Sequence, residues 1–181
     1  GLFDHFALRG QSGSFGPGWG RGQGWAALGL IEVVRELRAR RSEGGDARFD
    51  GDEERCSAAL VALLDAMIDV QRKDGHWEVI VDRPDSGDEF STAGFMAYAL
   101  SEALDLGLGS RDRYVNAALA ARGAVLRSLD DSGQLREVSA AVYASTVPDH
   151  YAAVPRGYVV PWGQGPALLA LVSTAGREVS A

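Results

Sequence analysis

Trp19-Gly20-Arg21-Gly22-Gln23-Gly24-Trp25 runs into a segment rich in alanine and leucine. The same arrangement recurs twice. Glu89-Phe90-Ser91-Thr92-Ala93-Gly94 opens a second such segment, and Trp162-Gly163-Gln164-Gly165-Pro166 opens a third. More polar helical stretches lie between them, each followed by a turn and a short extended piece: Asp74-Gly75-His76-Trp77, then Ser132-Gly133-Gln134-Leu135. The unit is helix, turn, small-residue helix, repeating about every 60–70 residues, a spacing that signals a repeat architecture. Two alternating helix classes, one small and apolar and one amphipathic, imply an inner and an outer layer. The expected fold is therefore all-α, an α/α toroid. A ring of this kind needs about six inner helices, and about three are present, so the chain reads as roughly half a ring.

Outward from this stretch the periodicity sets the elements. Residues 10–24 hold so many glycines that a loop is expected, and a helix is predicted over 25–41 from the spacing of Leu28, Ile31, Val34 and Leu37. A polar loop over 42–51 precedes a helix over 52–72 whose inner face carries Leu60, Leu63, Leu64, Met67 and Gln71. Gly75 is the expected left-handed stop after it. A short extended segment is expected over 77–81. Ser91 or Thr92 is expected to cap a helix over 93–106, and Ser110 and Asp112 to start another that reaches 129. The segment 139–165, with three prolines, reads as irregular, and Pro166 as the opening of a last helix. Residues 1–181 are expected to form a single partial toroid, with 1–24 as a glycine-rich pocket loop.

Composition narrows the function. The 181 residues are 46% hydrophobic and 24% charged, an ordinary globular balance. A net charge of −7 without any basic run argues against nucleic acid or an anionic membrane as partner. No apolar stretch approaches the ~18 residues of a membrane span. One cysteine, Cys56, excludes an intrachain disulfide. With only three histidines, a Cys/His zinc site is close to excluded too, so no metal or other cofactor is expected. The free cysteine and the missing signal segment suggest a cytoplasmic setting. Gly1 in place of methionine suggests a fragment or processed chain.

The glycine-rich loop is the strongest chemical feature. Arg21 is a planar fork suited to a carboxylate, and Trp19 and Trp25 offer flat apolar faces that suit sugar rings. The helix start that follows favours an anion. Equally open is a structural role, with both tryptophans anchoring the core and Arg21 paired to a surface carboxylate. A nucleotide loop is rejected, because no strand precedes it and no Gly-Lys-Ser/Thr follows. His5, flanked by Phe3 and Phe6, is either packed or part of a pocket. His76 is either a wall of that pocket or a turn residue, and His150 lies in the irregular segment. Asp88 and Glu89 read as capping carboxylates, and Asp50, Asp52, Glu53 and Glu54 as a solvated helix start. Cys56 is expected to pack. No serine-hydrolase signature is in register.

These blocks, in order, resemble the unsaturated glucuronyl and rhamnogalacturonyl hydrolases, glycoside hydrolase families 88 and 105. The resemblance rests on Gly1-Leu2-Phe3-Asp4-His5, the Trp19 to Trp25 loop, Gln71 to Trp77, Glu89 to Phe95, and Trp162 to Pro166 followed by Leu168-Leu169-Ala170. It implies an (α/α)6 barrel that removes an unsaturated uronic acid from the non-reducing end of lyase-generated oligosaccharides. An aspartic acid protonates the C4=C5 double bond, water adds, and the hemiketal collapses, so the two-carboxylate geometry of ordinary glycosidases does not apply. Carried over by position, Arg21, Trp25, Trp19 and His5 would bind substrate. The family aspartates would precede the His5 block, which places the catalytic acid outside this chain; Asp4 matches neither. The expected partner is then an unsaturated oligosaccharide, with self-association or a missing N-terminal half completing the ring. The competing readings are a non-catalytic carbohydrate-binding remnant and an α/α protein-interaction scaffold.

Overall fold

The computed structural model describes residues 1–16, 18–44 and 49–177. A two-stranded hairpin, β1 (Phe6–Ala7) and β2 (Ser14–Phe15), precedes six helices: α1 (Gly20–Ser42), α2 (Asp50–Asp69), α3 (Phe90–Asp105), α4 (Arg111–Ser128), α5 (Asp149–Ala152) and α6 (Pro161–Ser173). The strands pair antiparallel, Phe6 opposite Phe15 and Ala7 opposite Ser14. Residue 17, residues 45–48 of the expected polar loop, the Asp50 side chain and residues 178–181 lie outside the described part.

The helices form two layers. α3 lies between α1 and α6 in one row, α2 packs against α1, and α4 packs against α3. This is the expected division: the three helices that follow the repeated glycine-rich blocks stand side by side, and the two amphipathic helices stand behind. α3 has neighbours on both flanks and behind, and every residue from Ser91 to Leu100 is buried. A helix so enclosed can carry no polar stripe, which is why its sequence is small and apolar all round. Leu60, Leu63, Leu64 and Met67 of α2 are buried as the periodicity predicts. Gln71, just past α2, donates from Nε2 to the carbonyls of Gly75 and Ala117, tying that end to α4. Gly75 has φ +94°, and a Cβ there would strike the Ala120 carbonyl, so the residue serves both as the stop and as the point of closest approach to α4.

Several boundaries differ from the sequence expectation, each for a packing reason. α1 begins at Gly20, not Trp25, so Gly20, Gly22 and Gly24 lie within a helix. They are packing glycines: a Cβ on Gly24 would sit 2.5 Å from the Phe95 ring, and one on Gly20 2.6 Å from Thr92 Oγ1. α6 begins at Pro161, and Pro166 lies inside it, where its missing N–H costs one helical hydrogen bond. Pro166 packs so closely on α3 that a Cβ on Gly94 would lie 2.7 Å from the Pro166 carbonyl carbon. The repeated blocks are thus the sites where neighbouring helices of the row approach most closely. Ser91 and Thr92 do not cap α3; they lie in its first turn, Glu89 is the N-cap residue, and no side chain caps the end. Glu53 is not solvated. It is buried against α1 and paired with Arg38 at 2.9 Å and Arg41 at 2.7 Å, because the start of α2 lies over the arginine-rich end of α1. The irregular segment contains α5 and the first turn of α6. No helix among the described residues is long and apolar enough to cross a membrane.

Candidate sugar-binding site

At the start of α1 the chain passes from the hairpin through Gly18 and Trp19. The Gly20 N–H donates to the Val79 carbonyl and the Val81 N–H to the Gly18 carbonyl, fixing this corner on the extended segment 77–81. Trp19 is buried there, and its indole N–H has no partner among the described residues. The His5 ring lies 4.3 Å from the Trp19 ring, and the His5 N–H donates to the Phe15 carbonyl at 2.8 Å. Trp25 stands on the next turn of α1, edge-on to Phe95 at 4.6 Å and 48% exposed, so one face packs while the other is open.

These three side chains share one cavity of about 360 Å³, lined by Phe3, Asp4, His5, Trp19, Gly22, Gln23, Trp25 and Ala26. Its size suits a sugar ring. The lining offers two indole surfaces, an imidazole and one carboxylate. Among the described residues the lining holds no Arg or Lys. Burial moves His5 below its ordinary pKa, favouring the neutral ring.

Arg21 is not among the residues lining this cavity. It is 3% exposed, and its guanidinium donates from Nη1 to the Ser139 carbonyl at 2.7 Å and from Nη2 to the Ala140 carbonyl at 2.8 Å. The group lies 5.6 Å from both the Trp19 and the Trp162 ring centroids. Its counter-charge is Glu89 Oε2 at 3.7 Å. Burial lowers the Arg21 pKa, Glu89 raises it again, and the group stays charged. Glu89 is itself fully buried: Oε1 accepts from Ser91 Oγ at 2.5 Å, and Oε2 from the Ser139 N–H at 3.0 Å and from the Ser139 hydroxyl. Trp162 Nε1 donates to the Ser139 carbonyl at 3.1 Å. Ser139 is therefore held at its N–H, hydroxyl and carbonyl, and this closed cluster joins the first turns of α1, α3 and α6.

The other candidates fall elsewhere. His76 is a turn residue, its ring nitrogens 2.9 Å from Asp74 and Asp88 and its face stacked on Phe90. His150 meets Tyr151 edge-on outside the cavity, and Cys56 is half-buried on α2. Among the described residues no cluster of three or more His, Cys, Asp or Glu could hold a metal ion.

The model of glycosyl hydrolase family 88 matches residues 5–177, nearly the whole chain. The chain belongs to this family. Relatives from families 88 and 105 agree. The unsaturated rhamnogalacturonyl hydrolase YesR of Bacillus subtilis is 31% identical over 150 residues, 83% of this chain and 39% of that protein. A possible family 105 member from Salmonella enterica serovar Paratyphi A superposes with a TM-score of 0.76 at 22% identity, covering 86% of this chain and 39% of its own. The unsaturated glucuronyl hydrolase of Bacillus sp. GL1 superposes at 0.53 and 19% identity, over 94% of this chain and 44% of its own. The fold is that of the (α/α)6 barrels, and the chain spans about two fifths of the length of these relatives.

Within this family 88 chain, sequence reasoning missed Gln23 and Tyr151. The Gln23 amide is buried, accepting from the Phe3 N–H and donating to the Phe3 carbonyl, both at 2.8 Å, as a neighbouring strand would. That pairing holds the segment bearing Asp4 and His5 against α1. Tyr151 stands 146 residues from His5, in a segment read as irregular, and its hydroxyl lies 2.8 Å from His5 Nδ1. No local pattern marks a contact over that separation.

Proposed function

We propose that the cavity between His5, Trp19 and Trp25 is part of the substrate pocket of an unsaturated uronyl hydrolase, acting on oligosaccharides left by polysaccharide lyases. The observation that carries the proposal is the cavity itself: two indole surfaces and an imidazole converge on a space of sugar size at the family's most specific sequence block. Apolar sugar faces pack on the Trp25 and Trp19 surfaces, His5 meets a hydroxyl or the carboxylate at the rim, and Asp4 accepts from a hydroxyl. Arg21 belongs to this site as the support behind Trp19, since its N–H groups go to Ser139 and Ala140. The acid that protonates the C4=C5 double bond is assigned outside these residues, consistent with a lining whose one carboxylate, Asp4, accepts from Ser14.

The test is a titration of the chain with an unsaturated uronyl disaccharide. Tryptophan fluorescence reports binding, and the ultraviolet absorbance of the double bond reports turnover. The expected result is saturable quenching, with affinity weakened roughly two- to twelve-fold in Trp25→Ala and no fall in absorbance beyond the enzyme-free rate. Absence of any fluorescence response would overturn the proposal. A fall in absorbance abolished by Asp4→Asn would place the acid within the chain.

A further inference from the structure

The row of α1, α3 and α6 repeats one helix-to-helix contact and leaves it open at both ends. Counted from the first residue of each helix, the fifth position is glycine in all three: Gly24, Gly94 and Gly165. At the first two, the next helix in the row comes closest. A Cβ on Gly24 would lie 2.5 Å from the Phe95 ring, and one on Gly94 2.7 Å from the Pro166 carbonyl carbon. Phe95 and Pro166 are each the sixth residue of their own helix, so the sixth position of one helix seats on the fifth-position glycine of the helix before it. At Gly165 the seat is empty: among the described residues nothing lies within 4 Å of a Cβ built there. Positions eight and twelve share the face of position five. They are buried in α1, as Ala27 and Ile31, and in α3, as Ala97 and Ser101. In α6 they are Leu168 and Val172, 63% and 68% exposed.

α1 carries the opposite half of the contact, also unfilled. Positions six and ten, four residues apart and so on one face, are buried in α3, as Phe95 and Ala99, and in α6, as Pro166 and Ala170. In α1 they are Trp25 and Gly29, both exposed, and a Cβ on Gly29 would meet nothing within 4 Å. α6 thus presents a glycine followed by two large aliphatic side chains, and α1 presents a large side chain followed by a glycine. In the parallel register that the row already uses, Trp25 falls on Gly165 and Leu168 falls on Gly29, large against small at both levels. None of these open positions is charged, so covering them removes apolar surface from water without burying a charge.

We propose that the α6 face of Gly165, Leu168 and Val172 docks α1 of a second copy of this chain, and that the reciprocal contact closes two copies into one ring of six inner helices. The second copy is favoured because a single chain carries both halves of the contact, each unfilled, and a two-fold axis satisfies both at once. The docking rests on helix packing alone and is independent of the function proposed above.

Sedimentation equilibrium of the full chain, without sugar and across a dilution series, reads the assembly directly. The expected wild-type species is a dimer of twice the chain mass. Leu168→Glu on the α6 face and, separately, Gly29→Glu on the α1 face should each weaken it by about 100-fold, because each places a charge in both copies of an apolar contact. Both positions are open within one chain, so helical content by circular dichroism should be unchanged. If Leu168→Glu fails that control, Val172→Glu probes the same face, and the wild-type mass decides association whatever the variants do. A wild type that stays monomeric at every concentration would overturn the proposal and assign these faces to a helix from outside the chain. A dimer insensitive to substitution on either face, or a mass that grows past the dimer as an open head-to-tail chain would, would overturn it equally.

Discussion

The first turns of α1 serve two regions that share one wall, Trp19. On one side lies the cavity, with an open Trp25 face and, among the described residues, no Arg or Lys in its lining. On the other lies the cluster of Arg21, Glu89 and Ser139, buried and saturated with internal hydrogen bonds. The two regions come from adjacent residues of one seven-residue block, yet one borders an open cavity and the other joins three helix starts. One compact block thus contributes both to an open cavity and to a closed polar cluster, and the hydrogen-bond partners of each side chain tell the two apart.

The comparison breaks most visibly at Glu89. Glu89→Ala leaves the Arg21 charge buried without its counter-ion and the Ser139 N–H without its acceptor. The expected cost is about 3–5 kcal/mol, measured as the shift in chemical denaturation. A loss below about 1 kcal/mol, the scale of an exposed pair, would mean that the closed cluster does not hold the helix starts.

Gly24→Ala is the next largest. In an open helix this change is favourable by roughly 1 kcal/mol. Here the new Cβ meets the Phe95 ring at 2.5 Å, so the sign should reverse to a destabilisation of about 1–3 kcal/mol, seen as a lower thermal midpoint. Because Phe95 also supports Trp25, disaccharide affinity should fall with it.

Trp25→Ala sharpens the contrast from the open side. Its stability effect should be small, since half the side chain is exposed. Its effect on disaccharide affinity should correspond to an aromatic contact of about 0.5–1.5 kcal/mol, roughly two- to twelve-fold in Kd, read by titration calorimetry. Equal losses of stability and affinity would make Trp25 a core residue.

The smallest expected effect is pH dependence from His5. Burial lowers its folded pKa below the ordinary 6.5, so below that value the unfolded chain binds the proton more readily. Stability from this group is complete above pH 6.5 and declines as pH falls toward the lowered folded pKa. The urea midpoint of the wild type should therefore drop slightly more between pH 7 and pH 5 than that of His5→Gln. A steeper drop in the variant would contradict the assigned direction.

The layering was legible before any coordinates. Enclosed helices need small apolar residues all round and flanking helices need one apolar stripe, and both constraints are written locally into α3 and α2. The glycine-rich blocks were legible as special positions but not as helix. Glycine signals a loop when only local propensity is considered, whereas Gly20, Gly24 and Gly94 are required by side chains more than 60 residues away.

The site divides in the same way. The sequence made Trp19, Trp25 and Arg21 candidates by the chemistry of indole and guanidinium in a glycine-rich corner, and the family resemblance added His5 to the same expected pocket. It could not determine which way the Arg21 guanidinium points. The carbonyls of Ser139 and Ala140 and the carboxylate of Glu89 reach it only after three helix starts converge, and a buried cation takes whatever acceptors that convergence supplies. The same holds for the hydroxyl of Tyr151 against His5: the contact spans 146 residues, and only the path of the folded chain brings the two together.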